Sequence, residues 1–253
     1  MVYDIKSKAI LFGINYIKDD TSRLRGCIND VKNMGRFLKD TVGYDVVKIY
    51  TDETKDDKVR GNSIVNSLYK LAIDSHRLKL DKVWIHFSGH GCSIKDTNND
   101  ECDGYDECIV PVDYMHTGVI TDDLIKRIFR YFYHETKVVC VFDCCHSGTI
   151  SDLRYRIMDR HTWKLENVNS KCKANVIMIS GCKDSQLSAD AYNVKGQREF
   201  SGAMTSCLLL SLSKTNIVYD VLDELKSLLK LKKFTQIPQL SASSWIYNDT
   251  TLY

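Results

Sequence analysis

The sequence predicts an α/β domain with a mostly parallel central sheet flanked by helices, and three features carry that prediction. Two stretches, KVWIHFS at 82–88 and KVVCVF at 137–142, are apolar without alternation, as strands buried on both faces are. Segments with apolar residues at helical spacing alternate with such runs, at the length that joins parallel neighbours by right-handed crossovers. Both runs end in chemically capable residues: Ser88, Gly89, His90 and Gly91 after the first, Asp143, Cys144, Cys145, His146 and Ser147 after the second. Ligands of open parallel sheets bind just beyond the carboxyl ends of the strands.

Taken in order, residues 8–14 (KAILFGI) read as a first buried strand, followed by the polar loop NYIKDDTSRLRG. Cys27 to Val42 places Ile28, Val31, Met34, Phe37 and Leu38 on one face of a helix, which Gly43 ends. A strand at 45–50 and a helix at 60–78, with Ile64, Leu68, Leu71 and Ala72 inward, lead to the strand at 82–88. Residues 92–107 read as a long acidic loop, 108–112 as a short edge strand, and 121–134 as a helix. Asp122 and Asp123 fall in that helix's first turn, where carboxylates suit the dipole. After the strand at 137–142, residues 149–172 look irregular. A strand at 174–180, helices at 202–213 and 217–231, and a last strand at 236–242 complete the sheet. There is no internal repeat or low-complexity segment, so residues 1–253 read as one domain.

The 253 residues suffice for a sizeable core, with 43% hydrophobic and 27% charged residues, both ordinary for a globular chain. A formal net charge of +2 gives no reason to expect a nucleic acid or an anionic membrane as partner. Asp4, Lys6 and Lys8 interrupt any signal-like apolar core at the N-terminus, and no run approaches the roughly 18 apolar residues of a membrane span. The ten cysteines are therefore expected as thiols in a cytosol-like compartment, several of them, such as Cys140 and Cys207, as small core residues.

A free thiol is only a few per cent thiolate at neutral pH, so a cysteine nucleophile needs a base. His90 lies 55 positions before Cys145, yet both follow buried strands whose carboxyl ends would be neighbours. Gly91 and Cys145 offer backbone amides for an oxyanion hole. The pair SGHG and DCCHSG resembles the metacaspases, relatives of the caspases. Caspases set their histidine about 50 residues before the cysteine, but the caspase context Q-A-C-x-G is missing here. GCINDVKNM, DGYDE, TDDL and QIPQLSAS extend the resemblance over most of the chain.

The resemblance implies a caspase-like three-layer sandwich, with a large-subunit-like part near 1–150, a linker at 151–172 and a small-subunit-like part at 173–253. It implies a cysteine endopeptidase with Cys145 as nucleophile and His90 as base, cutting polypeptides after Arg or Lys. Asp30, Ser88 and Asp143 match the family's acidic specificity pocket, in which paired carboxylates select a cationic side chain; Cys27 would line it and Cys144 would be a packing residue. For Asp30 the alternative is a solvated helix carboxylate. Calcium, a hard cation that takes oxygen ligands, is the implied activator, held by residues matching Asp106, Asp122, Asp123 and Asp152. An EF-hand on Asp96, Asn98, Asp100 and Glu107 is rejected, because Glu101 stands where its glycine belongs. The chain resembles a bare, type I-like catalytic core without a Pro-rich extension, expected as a cytoplasmic monomer. Arg154, Arg156, Arg160 and Lys164 lie where such enzymes cut themselves. Two rival readings stand: a zinc-binding structural protein using His86, His90, Cys92, Cys102 and Cys108, whose spacing lacks a C-x-x-C pair, and a catalytically silent caspase-like scaffold.

Overall fold

The computed structural model of the chain describes residues 4–53, 57–96, 104–144, 153–166, 172–181, 190–192 and 200–253. Its elements begin with β1 (Ser7–Gly13), α1 (Cys27–Arg36), β2 (Val46–Thr51), α2 (Gly61–Leu78) and β3 (Lys82–Ser88). Then come β4 (Gly91–Lys95), β5 (Tyr105–Ile109), α3 (Tyr114–Thr117), β6 (Ile120–Thr121), α4 (Asp122–Phe129) and β7 (Lys137–Asp143). The last third adds β8 (Tyr155–Ile157), β9 (Trp163–Leu165), β10 (Asn175–Ser180), β11 (Asp190–Tyr192) and β12 (Phe200–Gly202). It ends with α5 (Ala203–Leu212), α6 (Val218–Leu231) and β13 (Gln239–Ala242).

An eight-stranded sheet in the order β2-β1-β3-β7-β10-β13-β8-β9 forms the middle layer. The first five of these strands are parallel, whereas β13, β8 and β9 each pair antiparallel. Alternate strand residues feed two cores, which is why the runs show no apolar–polar alternation. Ala9, Leu11, Trp84, Val139 and Val141 pack under α1, α5 and α6. Ile10, Phe12, Val83, Ile85, Val138 and Cys140 pack under α2 and α4. Among the described residues, no helix is long and apolar enough to cross a membrane.

Two close approaches aim helices at the strand tips. A Cβ at Gly13 would come within 2.6 Å of the Cys27 carbonyl oxygen, so α1 starts in contact with the tip of β1. Helix α5 is apolar nearly all round and almost entirely buried, as a helix enclosed on every side must be. Its N-terminus meets the same end of the sheet.

Three stretches differ from the sequence expectation. Much of the acidic loop at 92–107 belongs to the β4–β5 hairpin, and the strand expected at 108–112 runs from Tyr105 to Ile109 instead. Strand β4 (GCSIK) is partly solvated and carries little apolar signal. The segment 149–172 is not irregular where described: β8 and β9 form a second hairpin added to β13. Helix α4 ends at Phe129 rather than 134, since the chain turns there to bring Phe132 into the core and the Thr136 hydroxyl to the Leu80 carbonyl. Helix α1 continues to Val42 as a π-helical turn, closed by Gly43 at φ 79°.

Candidate active site

Strands β3 and β7 end level. Their register pairs Ser88 with Asp143, and the Gly89 amide donates to the Asp143 carbonyl at 3.3 Å. By strand alternation Trp84, His86 and Ser88 face the α1–α5 layer together with Val139, Val141 and Asp143. His90 follows two residues after Ser88, and Cys145 two residues after Asp143. Cys145 and Asp152 lie outside the described residues. Cys144 is wholly buried in the α2–α4 core.

The His90 imidazole is held on several sides. Its Nε2 lies 2.7 Å from the Ser22 carbonyl oxygen. A carbonyl only accepts, so Nε2 carries a hydrogen, which leaves Nδ1 as the nitrogen able to take a proton. Among the described residues nothing bonds to that Nδ1. The Tyr16 ring packs against the imidazole at 4.7 Å between centroids. The Tyr16 hydroxyl accepts from the His90 amide at 2.9 Å and donates to the Val110 carbonyl at 2.7 Å, while the Val110 amide donates to the His90 carbonyl at 3.0 Å. Burial raises the Tyr16 phenol well above its ordinary pKa, so the donor persists through the neutral range. Tyr16 has φ 52°, a left-handed conformation that is uncommon for a bulky residue and costs on the order of 1 kcal/mol. The loop that carries Ser22 is itself shaped by Asp52, whose carboxylate accepts from the Asn15 and Ile17 amides at 2.9 Å each.

Beside the strand tips sit two carboxylates, Asp30 at 1% exposure and Asp143 at 3%. Asp30 accepts from the Ser88 hydroxyl at 2.8 Å and from the Gly202 amide at 2.8 and 3.0 Å. Asp143 accepts from the Thr205 amide at 3.0 Å and its hydroxyl at 2.8 Å. The Gly202 and Thr205 donors belong to the N-terminal end of α5, where unpaired amides and the helix dipole favour negative charge. A Cβ on Gly202 would stand 2.5 Å from an Asp143 oxygen and 2.6 Å from an Asp30 oxygen, so only glycine fits where the two acids converge. Asp30 is thus no solvated helix carboxylate. Cys27, buried at the start of α1, neighbours the Tyr16 phenol, as does Cys144.

His86 lies beneath this pocket, fully buried, with Nε2 3.3 Å from the Thr205 hydroxyl. Thr205 spends its one proton on Asp143, so His86 is the donor. Burial pulls its pKa down to about 3, and the ring is neutral. Sequence reasoning missed Tyr16, Ser22, Gly202 and Thr205. The available signals were a bulky residue following Asn15 at a strand end and a glycine directly before an apolar helix.

The acid set divides. Asp106 is on β5, and Asp122 and Asp123 open α4. Asp122 accepts from the Glu107 amide at 3.2 Å and the Asp123 amide at 2.8 Å, and both Asp106 and Asp122 are buried. Among the described residues, no three His, Cys, Asp or Glu side chains gather around a point that could hold a metal ion. His86, His90, Cys92 and Cys108 therefore make no zinc centre; Cys102 lies outside the described residues. Gly91 opens β4 opposite Ile109.

Residues 7–154 match the family model of the metacaspase peptidase C14 domain. Metacaspase-3 of Trypanosoma brucei brucei is 34% identical over 265 aligned residues, covering 96% of this chain and 73% of its own. The chain belongs to the metacaspase family. Metacaspase-1 of Meyerozyma guilliermondii, a second relative, is 32% identical over 292 residues, covering 94% of this chain and 70% of its own. A crystal structure of a Geobacter sulfurreducens protein shares the fold at a TM-score of 0.68 and 23% identity, covering 97% of both chains. This metacaspase is accordingly a cysteine-type peptidase with polypeptides as its substrate class. The matched span holds both strand tips.

Two substitutions follow from the geometry. Tyr16→Phe removes the hydroxyl between His90 and Val110 and should lower kcat by roughly 10-fold with little change in KM, as loss of orientation does; steady-state peptide hydrolysis measures the split. Gly202→Ala forces a methyl group between the two acids. It should lower kcat/KM about 100-fold and the melting midpoint by several degrees, by the same overpacking.

Proposed function

We propose that this metacaspase is an endopeptidase that cuts after Arg or Lys through a Cys145–His90 dyad. One observation carries the reading: the Ser22 carbonyl takes the Nε2 hydrogen of His90, leaving Nδ1 as the base at the tip of β3. Cys145 follows the neighbouring tip at the same offset from the Ser88–Asp143 pair. In the reaction the thiol proton passes to Nδ1 and the thiolate adds to the scissile carbonyl carbon. The oxyanion is met by the amides of Gly91 and Cys145. The imidazolium then protonates the leaving amine, and water, deprotonated in turn by His90, hydrolyses the thioester.

Preference for Arg or Lys rests on Asp30 and Asp143, with Ser88 between them and Cys27 on the flank. Two carboxylates converging on Gly202 make a site where a guanidinium or ammonium forms charge-assisted bonds and an acidic side chain is repelled. Calcium is proposed as activator. Asp106, Asp122 and Asp123 are hard oxygen donors of the kind it takes, with Asp152 as the fourth. Lys126, 3.9 Å from Asp123, is the near cation among the described residues. Bound there, calcium would neutralise these acids.

Three further readings accompany this one. The seven described cysteines are free thiols, which suits the cytoplasm. The β8–β9 hairpin covers the edge of β13, which favours a monomer, divided into large-like and small-like parts around that hairpin. Arg156 pairs closely with Glu166, and Arg160 with Asp220 and Asp223, whereas Arg154 is exposed and Lys164, 4.0 Å from Glu166, is two-thirds exposed. Self-cleavage is therefore assigned to Arg154 or Lys164.

A fluorogenic peptide series with Arg, Lys or Asp before the cut, with calcium or a chelator, tests the reading. The wild-type chain should hydrolyse the Arg and Lys peptides only, and chelation should lower the rate at least about 10-fold. Cys145→Ala and His90→Ala should each lose about 1000-fold or more. No turnover by the wild type in any condition, matched by Cys145→Ala, would instead make the chain a silent scaffold. Asp30→Asn should cost about 10- to 100-fold against Arg peptides.

A further inference from the structure

Away from the specificity pocket, the β4–β5 hairpin sets two cysteines face to face. The antiparallel register puts Cys92 directly opposite Cys108, and both are free thiols. Opposed residues of an antiparallel pair have Cα atoms about 4.5 or 5.5 Å apart, inside the roughly 4.4–6.8 Å that a disulfide spans. Joining these sulfurs thus needs side-chain rotation and a small local approach of the two strands. Among the described residues, no other two cysteines face each other in a strand register. Access is unequal in the useful sense, since Cys92 is half-buried and Cys108 fully buried. The Cys108 thiol also lies 3.7 Å from the Asp106 carbonyl oxygen.

We propose that Cys92 and Cys108 form a peroxide-responsive dithiol, in which Cys92 is oxidised first and Cys108 closes the disulfide. The Cys92 thiolate attacks the terminal oxygen of a hydroperoxide. The O–O bond breaks, leaving a sulfenic acid on Cys92 and releasing water or an alcohol. The Cys108 sulfur then displaces the sulfenic oxygen, which departs as water with the Cys108 proton. Two thiols lose two electrons and two protons, and the peroxide takes them up. The neighbouring Cys108 thiol draws the Cys92 pKa down to about 7, which supplies the thiolate at neutral pH. Cys108, buried behind Cys92, is shielded from the peroxide, as suits the resolving partner.

This inference goes beyond peptidase activity and does not depend on it. Its position still matters. Cys92 follows Gly91, and Val110, whose amide holds the His90 carbonyl, stands two residues past Cys108. The crosslink would tie together the two strands that secure the His90 backbone.

The test uses the full chain carrying Cys145→Ala, so that oxidation of the candidate nucleophile does not interfere, with wild type mapped in parallel. Hydrogen peroxide in small excess at pH 7, followed by alkylation in denaturant, digestion and mass spectrometry, should yield a peptide joining Cys92 to Cys108. A reductant should reverse it, and the oxidised chain should melt about 5 °C higher, as closure of a loop of this length gives. In a Cys108→Ser variant the reaction should stop at a Cys92 sulfenic acid trapped by dimedone. Cys92 left as a thiol while other cysteines are oxidised, or joined to any partner but Cys108, would overturn the proposal.

Discussion

Parallel pairing of β3 with β7, in a register that ends on Ser88 opposite Asp143, is the constraint on which the site rests. Parallel neighbours present their carboxyl ends side by side, so residues just past the last pair arrive at one place however far apart they lie in the chain. Both strands are buried on both faces, and a slip of one residue would turn every side chain to the other core. Trp84 and Val139 would leave the α1–α5 layer, and Ser88 and Asp143 would leave the pocket. The packing that stabilises the sheet thereby fixes the geometry of the site.

Burial of two carboxylates at one spot needs its own physical account. Unit charges 4 Å apart repel by about 4 kcal/mol at an effective dielectric near 20, and desolvation adds to that. What offsets it is the start of α5: the Gly202 and Thr205 amides, the Thr205 hydroxyl and the positive helix end all point at Asp30 and Asp143. The apolar surface of α5 holds that terminus in place from the opposite side. His86 contributes by being neutral, since a charged imidazole behind Thr205 would compete with any cation in front of the acids.

Sequence patterns disclosed the parts of the fold whose signal is local. The apolar runs of β3 and β7, the helical spacing of Ile64, Leu68 and Leu71, and the glycine after Val42 each state their structure within a short window. Strands β4, β8 and β9 were obscure because they are short and partly solvated and owe their form to partners. The alternation of Arg154, Tyr155, Arg156 and Ile157 was a period-2 signal, but too brief to stand against four basic residues nearby. The acidic pocket was half visible. Asp30 and Asp143 belong to recognisable motifs, whereas Gly202 and Thr205 lie far away in sequence and acquire meaning only when α5 docks. Tyr16 and Ser22 were hidden in a polar loop for the same reason.

The far edge of the sheet shows how a short hairpin can matter. Strand β13 runs antiparallel to β10 and would expose its free amides and carbonyls if it were the last strand, a template for pairing with another chain. Strand β8 satisfies those groups, and β9 becomes the outer strand. Three residues of β-structure each would hold poorly on backbone bonds alone. The hairpin is fastened instead by Tyr155, Trp163 and Trp245, which meet edge to face at 5.0 to 6.1 Å between centroids. The bonds of Arg160 to Asp220 and Asp223 tie its turn to α6. Aromatic pairs of this geometry contribute on the order of 1 kcal/mol each beyond the area they bury, so three of them suffice to keep a three-residue strand in register. The β8–β9 hairpin is thus built into the sheet, and β9 rather than β13 is the outer strand at this edge.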